Sequence, residues 1–376
     1  MLGRLLGRNQ GAEAPEEPAE EIRESVVNWF TVPEIDGDRC VHAATEMASC
    51  RMCVEACPRG AWLLDEDSLN LDQGACDGCG ICVPACPEGA IRMDHAMALR
   101  AGGDATFGFV ACERAATVQG EGVLPCLHAL DLRQVLAAYD QHGLREVTAA
   151  RGDCAACPRG DTLTFQRTMS AVNGMLEAHG LPGLRMREVN GTDWMRRRDK
   201  HAQPPAGPAV GRRDVLRHAL GEAMEEGLRR LDGGGGQEAP VLPPAALVRG
   251  LRPDGPHPWV PGIDAGTCEG CDACARICPH DAIQVTETEA GVAYRVKPVN
   301  CTGCGLCQDL CRHDAIRLDR WTAPTAVEVP LERARCRKCG VWYHYPKARA
   351  EDEGMGGQCG VCRRKNPNTK LFQVHA

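Results

Sequence analysis

The stretch "CEGCDACARICPHDAIQV", Cys268 to Val285, sets four cysteines at the spacing Cys-x2-Cys-x2-Cys-x3-Cys and then runs into a short apolar strand. "CTGCGLCQDLCRHDAIRLD" from Cys301 repeats it, and so does "CDGCGICVPACPEGAIRMD" from Cys76. "CRMCVEACPRGAWLLD" from Cys50 repeats only the last three cysteines, with Met47 standing where the first would fall. Internal repetition sets architecture before any propensity argument. The repeats come as two close pairs separated by a long interval, which predicts two tandem domains and not one array.

Twenty-four cysteines in 376 residues leave two common explanations, a disulfide framework or a set of metal sites. Two-residue gaps suit several thiolates converging on one centre, and no secretory signal with an apolar core precedes them. A reduced, cytoplasmic protein is expected. "MLGRLLGR" gives way to the acidic "GAEAPEEPAEE", so residues 1–30 read as a loose tail and not a membrane anchor. No apolar run is long enough for a spanning helix, and any membrane association would run peripherally through a partner. A net charge of −8 with 4% aromatic residues argues against nucleic-acid binding by the chain as a whole. It also leaves few residues to fill large cores, so bound inorganic centres are expected to do part of the structural work.

Each pair of runs resembles the two-cluster bacterial ferredoxin, a small pseudo-symmetric fold of short strands and two helices. The resemblance implies that the fourth cysteine of each run crosses to the other cluster. One [4Fe–4S] centre would take Cys268, Cys271, Cys274 and Cys311, and the next Cys278, Cys301, Cys304 and Cys307. Gly270, Gly303 and Gly305 would let the backbone turn tightly and aim amides at sulfur. Arg312 replaces the family's usual proline, adding a cation expected to raise the reduction potential without touching the ligand set. Paired zinc sites would need only two knuckles per ion and leave the third cysteine of each run unexplained.

The same rule gives Cys57, Cys76, Cys79 and Cys82 as a complete set in the first pair. The other set holds Cys50, Cys53 and Cys86 and lacks a corner. Three readings compete: Cys40 as fourth ligand, a three-cysteine [3Fe–4S] centre, or coordination by His42. Met47 is the poorest candidate, because a neutral thioether compensates iron's charge less well than a thiolate. Ten residues reach up to about 33 Å, so Cys40 is not too far. Counting favours it, since with Cys40 all twenty-four cysteines fall into six sets of four. Four [4Fe–4S] clusters are then expected.

Residues 104–194 change to strand and helix alternation. "FGFVAC" ends at Cys112, "EGVLPC" at Cys126 and "REVTAARGDC" at Cys154. Leu130, Leu132, Val135, Leu136 and Tyr139 recur at helical spacing between the second and third, and a further helix is expected from Asp161 to His179 before a last strand in "LRMREV". This pattern predicts a small parallel α/β domain with right-handed crossovers, carrying Cys112, Cys126, Cys154 and Cys157 on the rim at the strands' carboxyl ends. In "FVAC", "LPC", the helix after it and "GDC" it resembles the delta subunit of methyl-viologen-reducing hydrogenases, an iron–sulfur protein that passes electrons to heterodisulfide reductase. It departs from that family at "ERA" and "TAAR", where further cysteines are common, and Cys157 appears instead. A [2Fe–2S] cluster is the leading expectation, ahead of [4Fe–4S], zinc or a redox-active Cys154/Cys157 dithiol.

Residues 195–262 have linker composition, interrupted by one amphipathic helix in "RRDVLRHALGEAMEEGLRRL" that reads as a docking helix. In residues 330–376 two knuckles, Cys336 with Cys339 and Cys359 with Cys362, describe a zinc ribbon, ahead of a rubredoxin-like iron site. Ten Lys or Arg against four Asp or Glu from Leu331 to Ala376 make that module basic, suited to an acidic protein partner. The expected class is α+β and multidomain: a tail (1–30), a ferredoxin-like domain (31–100), the α/β domain (104–194), the linker (195–262), a second ferredoxin-like domain (263–322) and the ribbon (330–376). No glycine-rich nucleotide fingerprint and no serine or carboxylate constellation appears, so no catalytic site is expected. The expected function is a multicluster electron-transfer subunit serving partner oxidoreductases, by analogy hydrogenase or heterodisulfide-reductase-like. The alternatives are a sulfur or disulfide reductase subunit using the middle cysteines, and an iron–sulfur protein that binds nucleic acid.

Overall fold

The computed structural model describes residues 32–65, 68–103, 105–160, 164–201, 241–288 and 291–364. Residues 1–30 and the amphipathic helix of the linker lie outside the described residues.

Short strands frame the first cysteine-rich domain. Strand β1 (Glu34–Ile35) pairs antiparallel with β4 (Ile91–Arg92), and β2 (Trp62–Leu64) with β3 (Leu69–Leu71). Two short helices, Met52–Ala56 and Cys82–Ala85, carry cysteines between them. Trp62, Val83 and Ile91 are buried together, and Cys53, Cys57, Cys82 and Cys86 pack into the same cluster. The thiols are thus part of the core that these few apolar residues are too small to complete.

The middle domain is a five-stranded sheet of β5 (Ala98–Gly102), β6 (Ala105–Cys112), β7 (Val123–Leu124), β8 (Leu144–Ala150) and β9 (Arg185–Glu188). β6 pairs parallel with β7 and with β8, and β8 parallel with β9. β5 adds an antiparallel edge to β6 that the motif pattern did not announce. The two strands are joined by a hairpin too short for the crossover that parallel pairing needs.

Alternation along β6 decides what covers each face. Val110 turns to a core with Val135, Leu136, Met169, Val172 and Leu176, the buried stripes of helices Leu132–His142 and Thr164–Ala178. Phe109 and Ala111 turn to Trp194, which is fully buried on helix Gly191–Lys200. That helix runs through residue 195. It can approach because Gly191 has no side chain: a Cβ there would lie 1.8 Å from the Ala116 carbonyl oxygen. Helix Leu132–His142 starts on the Asp131 side chain, which accepts the Arg133 N–H, and stops at Gly143 in the left-handed conformation.

The chain from residue 241 packs against this domain in spite of its proline-rich composition. Val248 joins the core, and the Asp140 carboxylate accepts from the backbone N–H and the Nε of Arg249, both at 2.9 Å.

The second cysteine-rich domain repeats the first. β10 (Val260–Ile263) pairs antiparallel with β13 (Ile316–Asp319), and β11 (Ile283–Thr288) with β12 (Gly291–Val296). β14 (Glu328–Arg335) then pairs with β12, and β15 (Trp342–Pro346) with β14. The C-terminal knuckles are therefore built onto an extension of this domain's sheet. Among the described residues no helix is long and apolar enough to cross a membrane.

Candidate metal centres

The fourth cysteine of every run is held in the same local geometry. Three residues after Cys57, Cys86, Cys278 and Cys311 stand Gly60, Gly89, Asp281 and Asp314, with φ of 61°, 62°, 56° and 50°. Glycine and aspartate are among the residues that adopt this region most readily. The turn aims the next amide back at sulfur: Ala61 N–H donates to Cys57 Sγ at 3.4 Å, and Ala90, Ala282 and Ala315 donate to Cys86, Cys278 and Cys311 at 3.2 Å each. Such donors stabilise a metal-bound thiolate.

The starts of three runs also share a turn. Positive φ occurs at Gly78 and Gly80, at Gly270 and Asp272, and at Gly303 and Gly305. The corresponding residues in the irregular run are Ser49 and Arg51, neither of them left-handed. Without that curl a cysteine at position 47 could not be presented in the same way. Met47 is 54% exposed instead.

Four cavities result. Cys40, Cys50, Cys53 and Cys86 line one, and Cys57, Cys76, Cys79 and Cys82 a second. Cys278, Cys301, Cys304 and Cys307 line a third, and Cys268, Cys271, Cys274 and Cys311 a fourth. His42 also borders the first cavity, with its Nε2 paired to the Cys50 carbonyl at 2.8 Å.

Every cysteine lies among the described residues, and none is disulfide-bonded. Burial pushes the thiol pKa of Cys53, Cys82, Cys274, Cys301 and Cys304 up to about 12 and of Cys268 to about 11, with nearby thiolates adding to the effect, and pushes Cys79 up to about 12 with Asp77 adding to it. So many crowded thiols are hard to ionise without a cation among them, and bound iron would supply that compensation. Four thiols per cavity, amides aimed at sulfur and the absence of disulfides fit an iron–sulfur cluster.

The C-terminal set is tighter. The sulfurs of Cys336, Cys339, Cys359 and Cys362 all lie within 4.8 Å of one another, the one group of potential ligands so close among the described residues. Cys339 and Cys359 are 3.8 Å apart, the edge of a tetrahedron with metal–sulfur bonds of about 2.3 Å. Backbone amides, that of Cys359 foremost, hold Cys336 below the ordinary thiol range. This donor set fits a single tetrahedral ion.

In the middle domain Cys112 ends β6, Cys126 follows β7 and Cys154 follows β8, so three of the four rim cysteines sit at the carboxyl ends of neighbouring parallel strands. Burial pushes Cys126 up to about 11, with Cys112 and Cys154 close enough to add to the shift. Cys157 closes a turn on Cys154, its N–H donating to the Cys154 carbonyl at 3.2 Å.

Sequence reasoning missed Arg159. Its guanidinium is buried, with Nε 2.9 Å from Asp77 Oδ2, Nη2 3.2 Å from the Asp77 carbonyl, and Nη1 2.5 Å from the Pro125 carbonyl and 3.1 Å from Glu113. It ties the Cys76–Cys82 loop to the rim, where Cys79, Ile81 and Cys126 share a small apolar cluster. Its place two residues beyond Cys157 was the available signal.

Comparison with known families gives two matches within the cysteine-rich regions. Residues 267–315 match the 4Fe-4S dicluster domain. Residues 69–92 match the 4Fe-4S binding domain, a span that takes in the regular run of the first pair and leaves out the irregular one. No curated protein matches the chain. The chain thus carries two ferredoxin-type iron–sulfur regions, which support a role in electron transfer.

Proposed function

We propose that this protein is a multicluster electron-transfer subunit that relays single electrons between partner oxidoreductases. The observation that carries the reading is the lining of four cavities by four cysteines each, with Cys57, Cys86, Cys278 and Cys311 contributed across the runs. Each cavity would hold a [4Fe–4S] cluster, and bound clusters supply reversible one-electron chemistry. The chain's own residues bury the sulfurs, donate amides to them and fix neighbouring charge. Cys40 is the fourth ligand of the irregular set, because it lines one cavity with Cys50, Cys53 and Cys86 and so completes four thiols there, whereas Met47 faces solvent. The rim would hold a [2Fe–2S] centre, and the C-terminal set a structural zinc.

By analogy with hydrogenase and heterodisulfide-reductase systems, the rim is the exchange site for a protein partner. One observation favours a second reading: Cys154 and Cys157 lie in a single turn and are partly exposed, the placement of a reducible dithiol. Replacing both with serine separates the two. Loss of one spectroscopic cluster supports the relay, whereas retention of every cluster with loss of a disulfide-reductase activity supports the enzyme.

A further inference from the structure

The two cysteine-rich domains are far apart in sequence, yet they meet at one seam. Glu88 lies two residues beyond Cys86, and its side chain is only 9% exposed. Its carboxylate accepts from Thr302 Oγ1 at 2.5 Å and pairs with His280 Nε2 at 2.7 Å. A second contact joins the same two domains: Asp309 accepts from the Ser49 N–H at 2.9 Å and from Ser49 Oγ at 2.6 Å. A buried carboxylate with a full set of partners fixes geometry, because losing either partner leaves a charge that water cannot reach.

Each residue of the seam borders one of two cysteine sets. Glu88 lines the cavity of Cys40, Cys50, Cys53 and Cys86, and Ser49 precedes Cys50. His280 and Thr302 line the cavity of Cys278, Cys301, Cys304 and Cys307, and Asp309 ends the short helix that carries Cys307. The other two sets face elsewhere. The Cys57 set meets the rim through Arg159, and the Cys268 set meets the C-terminal knuckles through Asp272 and His344, 2.7 Å apart, and through Glu269 and Arg363, 3.2 Å apart.

Resting on the reading of these cavities as [4Fe–4S] sites, we propose that the two domains are joined in series through the Cys40 and Cys278 sets, with Ser49, Glu88, His280, Thr302 and Asp309 as positioning residues. The line runs from the rim through the Cys57, Cys40 and Cys278 sets to the Cys268 set. Two independent modules would each serve a partner of their own, whereas this arrangement gives one path with two ends. Passage across the seam moves one electron and no atoms: one side is oxidised as the other is reduced, with a one-electron donor protein at one end and an acceptor protein at the other.

The test is electron paramagnetic resonance on the reconstituted, fully reduced full-length chain, with iron and sulfide counted in each sample. Three variants empty first-domain sites: Cys50→Ser/Cys53→Ser, Cys76→Ser/Cys79→Ser, and all four together. With only the Cys40 set emptied, the second-domain signal should match that of the variant lacking both sets. With only the Cys57 set emptied, that signal should keep the broadening and fast relaxation of a magnetic neighbour. The reverse pattern, or no difference, overturns the series arrangement while the cluster count still supports the relay. A wild-type chain without four-iron clusters overturns both. Should a cysteine variant fail to fold, Glu88→Ala/Asp309→Ala gives the same decision: full cluster content with the inter-domain coupling lost is expected, and unchanged coupling contradicts the proposal.

Discussion

Cys40 lines the same cavity as Cys86, although it lies outside the spacing that organises every other cysteine of the four runs. The short helix Val41–Ala44 follows it directly, and the positions flanking Cys50 lack the left-handed turn of the other runs, so that Cys40 lines this cavity while Met47 is exposed. Cys40→Ser should therefore cost the protein the signature of one four-iron cluster, while His42→Ala keeps it. The check is iron and sulfide analysis with electron paramagnetic resonance; a Cys40→Ser protein with its full complement would refute the assignment.

The turn after each fourth cysteine should be sensitive to β-branching. Asp281 and Asp314 occupy φ of 56° and 50°, so Asp281→Val or Asp314→Val should destabilise the chain by about 1–2 kcal/mol, the strain of a branched residue in the left-handed region. Asp281→Gly should be tolerated, since Gly60 and Gly89 stand at the equivalent positions. Thermal unfolding of the reconstituted protein distinguishes the two; equal losses for valine and glycine would speak against backbone strain.

Arg159 should matter more than any surface arginine. Burial works against its charge, but Asp77 and Glu113 outweigh it and raise the guanidinium's pKa, while the arginine holds Asp77 below the usual carboxylate range against the same burial. Arg159→Met should destabilise the protein by about 2–3 kcal/mol. That is less than the 3–5 kcal/mol of a fully buried pair, because Asp77 keeps 28% of its side-chain surface in solvent. Chemical denaturation measures it, and a change below about 0.5 kcal/mol would contradict the bridge.

His257 predicts a pH dependence. It has no exposed surface, its Nδ1 pairs with the Gly255 carbonyl at 2.7 Å, and its ring meets His179 edge to face at 5.5 Å. Burial, with help from His179, lowers its pKa from 6.5. The unfolded chain then binds the proton more readily, so the stability contributed by the neutral ring is fully present above pH 6.5 and is lost as pH falls through the lowered folded value. His257→Gln should flatten this part of the stability profile. An unchanged slope between pH 7 and pH 5 would rule it out.

The C-terminal set should bind its ion independently of iron. Cys362→Ser should remove about one zinc per chain and leave the iron content intact, as judged by elemental analysis. Loss of iron together with zinc would show that the site is not a separate structural centre.

The repeated cysteine spacing made the two ferredoxin-type regions legible, because three cysteines of a run recur at two-residue gaps and the tight turns between them favour glycine. The first helix of the α/β middle region could be read from its stripe, with Val135, Leu136 and Tyr139 at helical spacing and buried. The antiparallel edge β5 could not, since a sheet edge leaves only a weak pattern and its direction is set by the short hairpin that follows. Residues 241–251 read as linker because proline marks low propensity, while their packing depends on single residues such as Val248 and Arg249. The seam was invisible for the same reason: Ser49 and Asp309 carry no periodicity, and only the folded chain brings them together.

The most direct test of the account is an anaerobic count of iron and acid-labile sulfide on the full-length protein, combined with a potentiometric titration followed by electron paramagnetic resonance. Four occupied cavities predict about sixteen iron and about sixteen sulfide per chain, with about two more of each at the rim, and reduction and reoxidation without loss of signal. Zinc in place of iron in these cavities, or clusters that cannot be reduced and reoxidised, would contradict it.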